Sequence, residues 1–181
     1  MLTSEDEIQI RNAVPEDAER IAEIEKQMWL ITYPNEEFGI SKEDIESKFD
    51  RALDRVEVLQ DTLTYPDHRY LVAVANNKIV GYFHGISGLN ENQVVETYVL
   101  PEFQGKNVGK KALDILFQWF GKEKSIFAEI AAYNTRSMNF FKSLGFVDAP
   151  GARRKETWNI LPSGKEIPLM FMRKVMGSVQ E

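Results

Sequence analysis

The residues with the clearest chemical potential lie in the stretch Val94 to Phe120, VVETYVLPEFQGKNVGKKALDILFQWF. A β-rich run ends at Pro101, a short loop carries Gly105 and Gly109, and an amphipathic helix begins near Val108. The first turn of such a helix has unpaired N–H groups and a partial positive charge, and glycine lets a ligand approach the backbone closely. Phosphate or pyrophosphate is the natural guest, and Lys106, Lys110 and Lys111 add charge around the same turn. Two glycines after a strand also serve simple tight turns, so the spacing leaves both readings open. Neither G-x-G-x-x-G nor G-x-x-x-x-G-K-[ST] is present, which argues against NAD enzymes and nucleoside triphosphatases. The chain has no cysteine and only two histidines, His68 and His84. No disulfide or thiolate metal site can form, and no metal is expected.

The elements that must position this loop alternate in type. Glu7 to Ala13 alternates as a strand would, and Pro15 opens a helix with Ala18, Ile21, Ile24 and Met28 on one face. Ser41 with Asp44 resembles a capping box, which predicts one charged helix from there to about Gln60. Tyr70–Ala75, Asn76-Asn77 and Lys78–Ile86 read as a β-hairpin, because two asparagines tolerate the left-handed backbone of a two-residue turn. A strand from about Gln93 to Leu100 follows, and the helix after it buries Ala112, Leu113, Leu116 and Phe120. Ile126 to Ala132 is a further strand, Thr135 to Leu144 a helix, and Arg153–Ile160 and Lys165–Arg173 are predicted as the last two strands, joined by Leu161 to Gly164.

At 181 residues, 43% hydrophobic and 28% charged, the chain suits one globular domain spanning 1–181. Its net charge is −6, with 16 acids and 7 bases in residues 1–60, so the N-terminal third is −9 and the remainder +3. That asymmetry fits a cation near the first third and an anion near the rest, or solvated helix faces alone. An acidic chain without an arginine-rich run argues against nucleic acid, and no apolar run reaches membrane-spanning length. The expected location is cytoplasmic.

Two motifs carry a resemblance. Val99 and Pro101 precede Gln104-Gly105-Lys106-Asn107-Val108-Gly109, and about 25 residues on come Asn134, Ser137, Phe140, Phe141, Leu144, Gly145 and Phe146. In this order they resemble the Q/R-x-x-G-x-G/A and N-x-x-A/S-x-x-F/L-Y-x-x-x-G-F signatures of the GCN5-related N-acetyltransferase (GNAT) family. Asn107 stands at the family's first motif glycine and Phe141 at its tyrosine. The resemblance implies an α/β (α+β) fold: a twisted, mixed, mostly antiparallel sheet of about seven strands with about four helices.

It also implies acetyl-CoA as donor and a small-molecule primary amine as acceptor, with no metal, while a homodimer stays open. The backbone at Tyr98 and Val99 would hold the pantetheine arm, and the amides of Gly105, Lys106, Asn107, Val108, Gly109 and Lys110 the pyrophosphate, with Gln104 at the loop entry. Asn134, Ser137 and Phe141 would complete the coenzyme side, Asn134 doubling as a helix N-cap. A lysine-like amine is neutral only about once in 2,500 at pH 7, so a base helps. Glu96, an acid in an apolar strand, is the candidate; its alternative is a solvated strand face. Tyrosine at position 141 would protonate the departing thiolate, which phenylalanine cannot do, leaving Tyr98 and Tyr133 as substitutes or as packing residues. Trp29, Tyr33, His84 and Glu96 are the candidate acceptor contacts, and the acids of the first third favour a polyamine or other small basic amine. A peptide or protein N-acetyltransferase and a non-catalytic acetyl-CoA-binding regulatory module are the alternatives.

Overall fold

The predicted alternation at the N-terminus forms an edge strand, β1 (Gln9–Asn12), paired antiparallel with the first strand of the hairpin. The computed structural model describes residues 8–51, 54–151 and 157–177. A 3-10 turn at Pro15–Asp17 leads into α1 (Ala18–Thr32), where the predicted stripe of Ala18, Ile21, Ile24 and Met28 is buried. Where one charged helix was expected there are two, α2 (Lys42–Arg51) and α3 (Arg55–Thr62). Asp54, just before α3, has a left-handed backbone (φ 71°), which no continuous right-handed helix accommodates.

The hairpin β2 (His68–Ala75) and β3 (Lys78–Ser87) turns on Asn76 and Asn77, both left-handed at φ 50° and 59°. β4 (Asn92–Val99) continues the meander, and α4 (Val108–Phe120) buries Ala112, Leu113, Leu116 and Phe120. Then come β5 (Ile126–Ala131), α5 (Thr135–Ser143), the two-residue β6 (Val147–Asp148) and β7 (Leu169–Lys174). The sheet has seven strands in the order β1-β2-β3-β4-β5-β7-β6, antiparallel except for β4 beside β5.

The C-terminal strand assignment differs from the expected one. β7 does lie within Lys165–Arg173 and one residue beyond, but its outer partner is β6, directly after α5. The described part of the predicted strand Arg153–Ile160 is a turn, with one bridge from Ile160 to Glu166; residues 153–156 lie outside the described residues. α1 packs on β3 and β4, and α4 on β2, β3 and β4. A smaller apolar cluster of Trp29, Tyr33, Ile40, Ile45, Leu161 and Ile167 sits beside the main core, with Tyr98, Tyr133 and Trp158 packed on it.

Candidate active site

The site begins where the sheet comes apart. β4 and β5 pair only from Asn92 to Val94, against Ile126 to Ala128. Beyond that, β4 follows β3 as far as Val99 and β5 follows β7 as far as Ala131. The cause is in β4: His84 faces Glu96 and Gly85 faces Val94, so Val95 is an extra residue, and such a bulge bends and twists its strand. A cavity of about 690 Å³ fills the wedge, a volume suited to a cofactor-sized ligand.

One wall is the glycine loop. Gln104 Nε2 donates to the carbonyl of Val99 at 2.7 Å, tying the loop to the strand end. Gly105 is left-handed at φ 78°, and an added Cβ would meet nothing, so its requirement is conformational. At Gly109 the constraint is closeness: a Cβ there would stand 3.1 Å from the Phe140 ring, which would have to give by a few tenths of an ångström where α4 approaches α5. Asn107 adopts the left-handed backbone (φ 59°) at the N-cap of α4 and makes no side-chain capping bond. The opening turn of α4 is thus presented to the cavity without a cap, an arrangement that receives an anion. Gln104, Gly105, Asn107, Val108, Gly109 and Lys110 all line the wedge. Lys106 lies outside that lining, its ammonium 5.4 Å from the Phe103 ring centroid, and Lys110 pairs with Asp114 at 2.9 Å.

On the opposite wall Asn134 caps α5, its Oδ1 accepting from the Ser137 N–H at 3.1 Å, and Phe141 is buried edge-on between Phe140 and Phe146. Asn134, Ser137 and Phe141 all face the wedge. Tyr133 does too, but its hydroxyl donates to the Tyr33 carbonyl at 2.6 Å. The Tyr98 and Tyr33 hydroxyls bond each other at 2.9 Å. Burial pushes the pKa of Tyr133 up to about 12 and raises those of Tyr33 and Tyr98, so all three stay protonated near neutrality.

A second cavity, about 460 Å³, opens beneath α1, α2 and α3, and Tyr33, Val95, Glu96, Tyr98 and Glu129 line both cavities. Its wall includes Trp29, Phe49 and Trp158, with the Trp29 ring edge-on to the other two. Its polar end is a network. Glu96 accepts from the Tyr82 hydroxyl at 3.0 Å and lies 3.2 Å from His84 Nδ1, with Arg55 at 3.6 Å. Arg55 Nε donates to Glu25 at 2.7 Å, and Trp158 Nε1 to Glu129 at 2.6 Å. Burial drives Glu96 towards the neutral form, but the His84 hydrogen bond and charge, Arg55 and Tyr82 outweigh it and hold the pKa below the ordinary value. Glu25 goes the other way, up to about 7, because burial and the negative Glu96 outweigh Arg55.

Of the predicted acceptor contacts, Trp29, Tyr33 and Glu96 share this cavity, whereas His84 lines neither and stands behind Glu96, almost fully buried. The face of Trp29 already holds a cation: Lys48 Nζ lies 5.1 Å from its ring centroid and donates to the Trp158 carbonyl. Sequence reasoning missed Glu25, Lys48, Arg55, Glu129 and Trp158. Glu25 carried a signal, since it adjoins the buried stripe position Ile24 on α1. Among the described residues no group of three or more His, Asp or Glu converges as a metal site, and no helix is long and apolar enough to cross a membrane.

Comparison with known proteins agrees with this geometry. Residues 19–146 match the profile of the Acetyltransferase (GNAT) family. The fold superposes on PaiA N-acetyltransferase from Thermoplasma acidophilum, solved in complex with coenzyme A (TM-score 0.74, 22% identity, 93% of this chain and 99% of that one). It also superposes on a GCN5-related N-acetyltransferase from Rhodopseudomonas palustris (TM-score 0.66, 21% identity, 97% and 98%). The ribosomal-protein-S18-alanine N-acetyltransferase from Escherichia coli is similar as well (TM-score 0.62, 16% identity, 97% of each chain). No protein of curated function matches the sequence.

Proposed function

This chain belongs to the Acetyltransferase (GNAT) family and is an acetyl-CoA-dependent N-acetyltransferase; from that premise we propose that it acetylates a small basic amine, polyamines included, in the cavity beneath α1 to α3. The observation carrying this reading is that the two cavities share Glu96 and Tyr98 at the wedge between β4 and β5. A donor lying along the glycine loop and an amine entering from the other face meet at one carboxylate.

The uncapped start of α4, with Gly105 and Asn107 shaping the turn, receives the pyrophosphate. The backbone of Tyr98 and Val99 holds the arm that carries the thioester, and Asn134 lies across the wedge. Glu96 takes the ammonium proton, directly or through one water, and the freed lone pair attacks the thioester carbonyl. The carbon–sulfur bond then breaks, the thiolate leaves, and the acylated nitrogen gives up its one remaining extra proton to solvent, leaving the neutral amide. Phe141 has no proton to give, the Tyr133 proton is engaged by a backbone carbonyl and the Tyr98 hydroxyl is bonded to that of Tyr33, so the thiolate is protonated from solvent. Orientation of the two reactants, worth roughly 7 to 11 kcal/mol, carries most of the acceleration. The acidic end of the cavity, with Glu96 and Glu25, receives the ammonium, since Lys48 occupies the face of Trp29.

The test is thiol release from acetyl-CoA against spermidine, spermine, shorter amines, aminoglycosides, amino acids and short peptides. Turnover on polyamines or short amines is expected, and Glu96→Gln should lose about 10²- to 10⁴-fold in kcat with the acetyl-CoA KM little changed. An unimpaired Glu96→Gln enzyme removes the base assignment. Acetyl-CoA binding with no turnover on any amine replaces the enzyme by a regulatory module, and turnover confined to peptides replaces the small acceptor.

A further inference from the structure

Behind Glu96 three titratable side chains form a line. Glu96 Oε2 lies 3.2 Å from His84 Nδ1, and His84 Nε2 lies 3.0 Å from His68 Nδ1. The register explains the line: His84 on β3 is paired with both Tyr70 on β2 and Glu96 on β4, and His68 is two residues before Tyr70 on the same face. His84 is 5% exposed, whereas His68, at the start of β2, is only partly buried. The line therefore runs from the candidate base to the end of the sheet.

Each of the two contacts holds one proton. Against a carboxylate, His84 Nδ1 must be the donor, since a bare nitrogen would face bare oxygen. The contact between the imidazoles then has two states. In one, His68 Nδ1–H donates to His84 Nε2 and both rings are neutral. In the other, His84 Nε2–H donates to His68 Nδ1 and His84 is an imidazolium. One proton added at His68 Nε2 converts the first state to the second: the Nδ1 proton of His68 crosses to His84 Nε2, and His68 ends neutral with its proton on Nε2. No heavy atom moves, and the positive charge comes to rest against Glu96.

We propose that His68 and His84 are positioning residues forming a protonic link, by which proton uptake at the protein surface sets the charge beside Glu96 and so its strength as a base. The link is not a conduit for the proton each turnover releases. Repeated passage would require the His84 ring to turn after every transfer, and Tyr70 is stacked on it at 3.9 Å and 9°. The Glu96 carboxylate draws the charge to His84, while Arg55 opposes it from α3; burial and then His84 hold His68 below its ordinary pKa, with Asp67 as the opposing influence. Tyr82 bonds the other oxygen of Glu96, Tyr65 packs edge-on to His68, and Glu25 acts through Arg55.

The proposal rests on Glu96 being the base, and its test separates the two ideas. Nitrogen-15 imidazole shifts of the full-length wild-type protein report tautomers without any turnover. On lowering the pH from about 8.5 to about 5.5, across the imidazole range, His84 should become doubly protonated while His68 passes from the Nδ1–H to the Nε2–H tautomer. A doubly protonated His68 beside an unchanged, neutral His84 overturns the link, whatever the kinetics of Glu96 variants. His68→Phe removes the outer proton acceptor and keeps a ring. In that variant His84 should cease to titrate over this range, and the ratio of kcat at pH 6 to kcat at pH 8.5 should rise about threefold or more, since a charged His84 weakens the base. An unchanged ratio together with an unchanged His84 titration also overturns it.

Discussion

At Glu25 and Glu96, two carboxylates compete for one guanidinium, and their environments push their pKa values apart. Glu96 has Tyr82 and His84 besides Arg55, so it stays ionised. Glu25 has Arg55 and a buried position on α1, and its pKa rises from the ordinary 4.5 to about 7. A folded-state value above the unfolded one means that the folded chain holds more protons between those limits. Glu25 therefore costs stability progressively as the pH rises from about 4.5 through about 7, and the full cost is present above that. Glu25→Gln mimics the protonated form and leaves Arg55 to Glu96. It should match the wild type in stability near pH 5 and exceed it near pH 8, measured by urea unfolding at both values. Equal loss at both would mean that the ionised pair with Arg55 stabilises the fold. The sequence offered only the place of Glu25 beside the buried Ile24; a charge on a helix reads as solvated until a neighbouring element covers it, and here Arg55, at the start of α3, reaches Glu25.

Among the elements, those with a strict period or a turn that demands a particular residue were legible: the Asn76-Asn77 hairpin, the stripe of α1 and the strand–loop–helix unit ending in α4. The two departures have physical causes. Charged helix-formers continue across residues 41–60, and nothing in their composition announces the left-handed Asp54. β6 is two residues long, too short to show alternation, so the partner of β7 was sought in the next stretch. The family's first motif glycine is the informative case, since Asn107 supplies its left-handed backbone without using its side chain as a cap. Replacement by glycine should therefore cost nothing in hydrogen bonding and leave stability equal or slightly higher. Asn107→Ala should lose about 1 kcal/mol or more, because an alanine Cβ is strained in that region. Acetyl-CoA affinity by calorimetry should follow the same order, as the loop is then less preorganised. Alanine equal to asparagine in both measurements would show that the loop tolerates another backbone.

For the molecule as a whole, the sheet is two halves joined at one end. The half made of β1 to β4 meets the half made of β5, β7 and β6 through three parallel pairs, supported by the Asn92 N–H on the Ser125 carbonyl and by Arg173 with Glu91. The open end of the wedge lies between the Tyr98 end of β4 and the Ala131 end of β5. A ligand that fills the wedge bridges both halves and the loops that follow each strand, so its binding energy should appear as resistance to separating them. At a free concentration of 100 times Kd, binding to the folded state alone adds about 2.7 kcal/mol. For a chain of this size that corresponds to a rise in Tm of roughly 5 to 11 °C. Amide exchange should slow in the glycine loop and at the splayed ends of β4 and β5, while β2, already paired on both sides, changes little. Acetyl-CoA and coenzyme A should act alike, because the bridging contacts are to the shared nucleotide and pantetheine. A Tm rise without slowed exchange at 96–99 and 129–131 would place the ligand on the loop alone, leaving the wedge unbridged and the meeting of donor and acceptor at Glu96 without its donor.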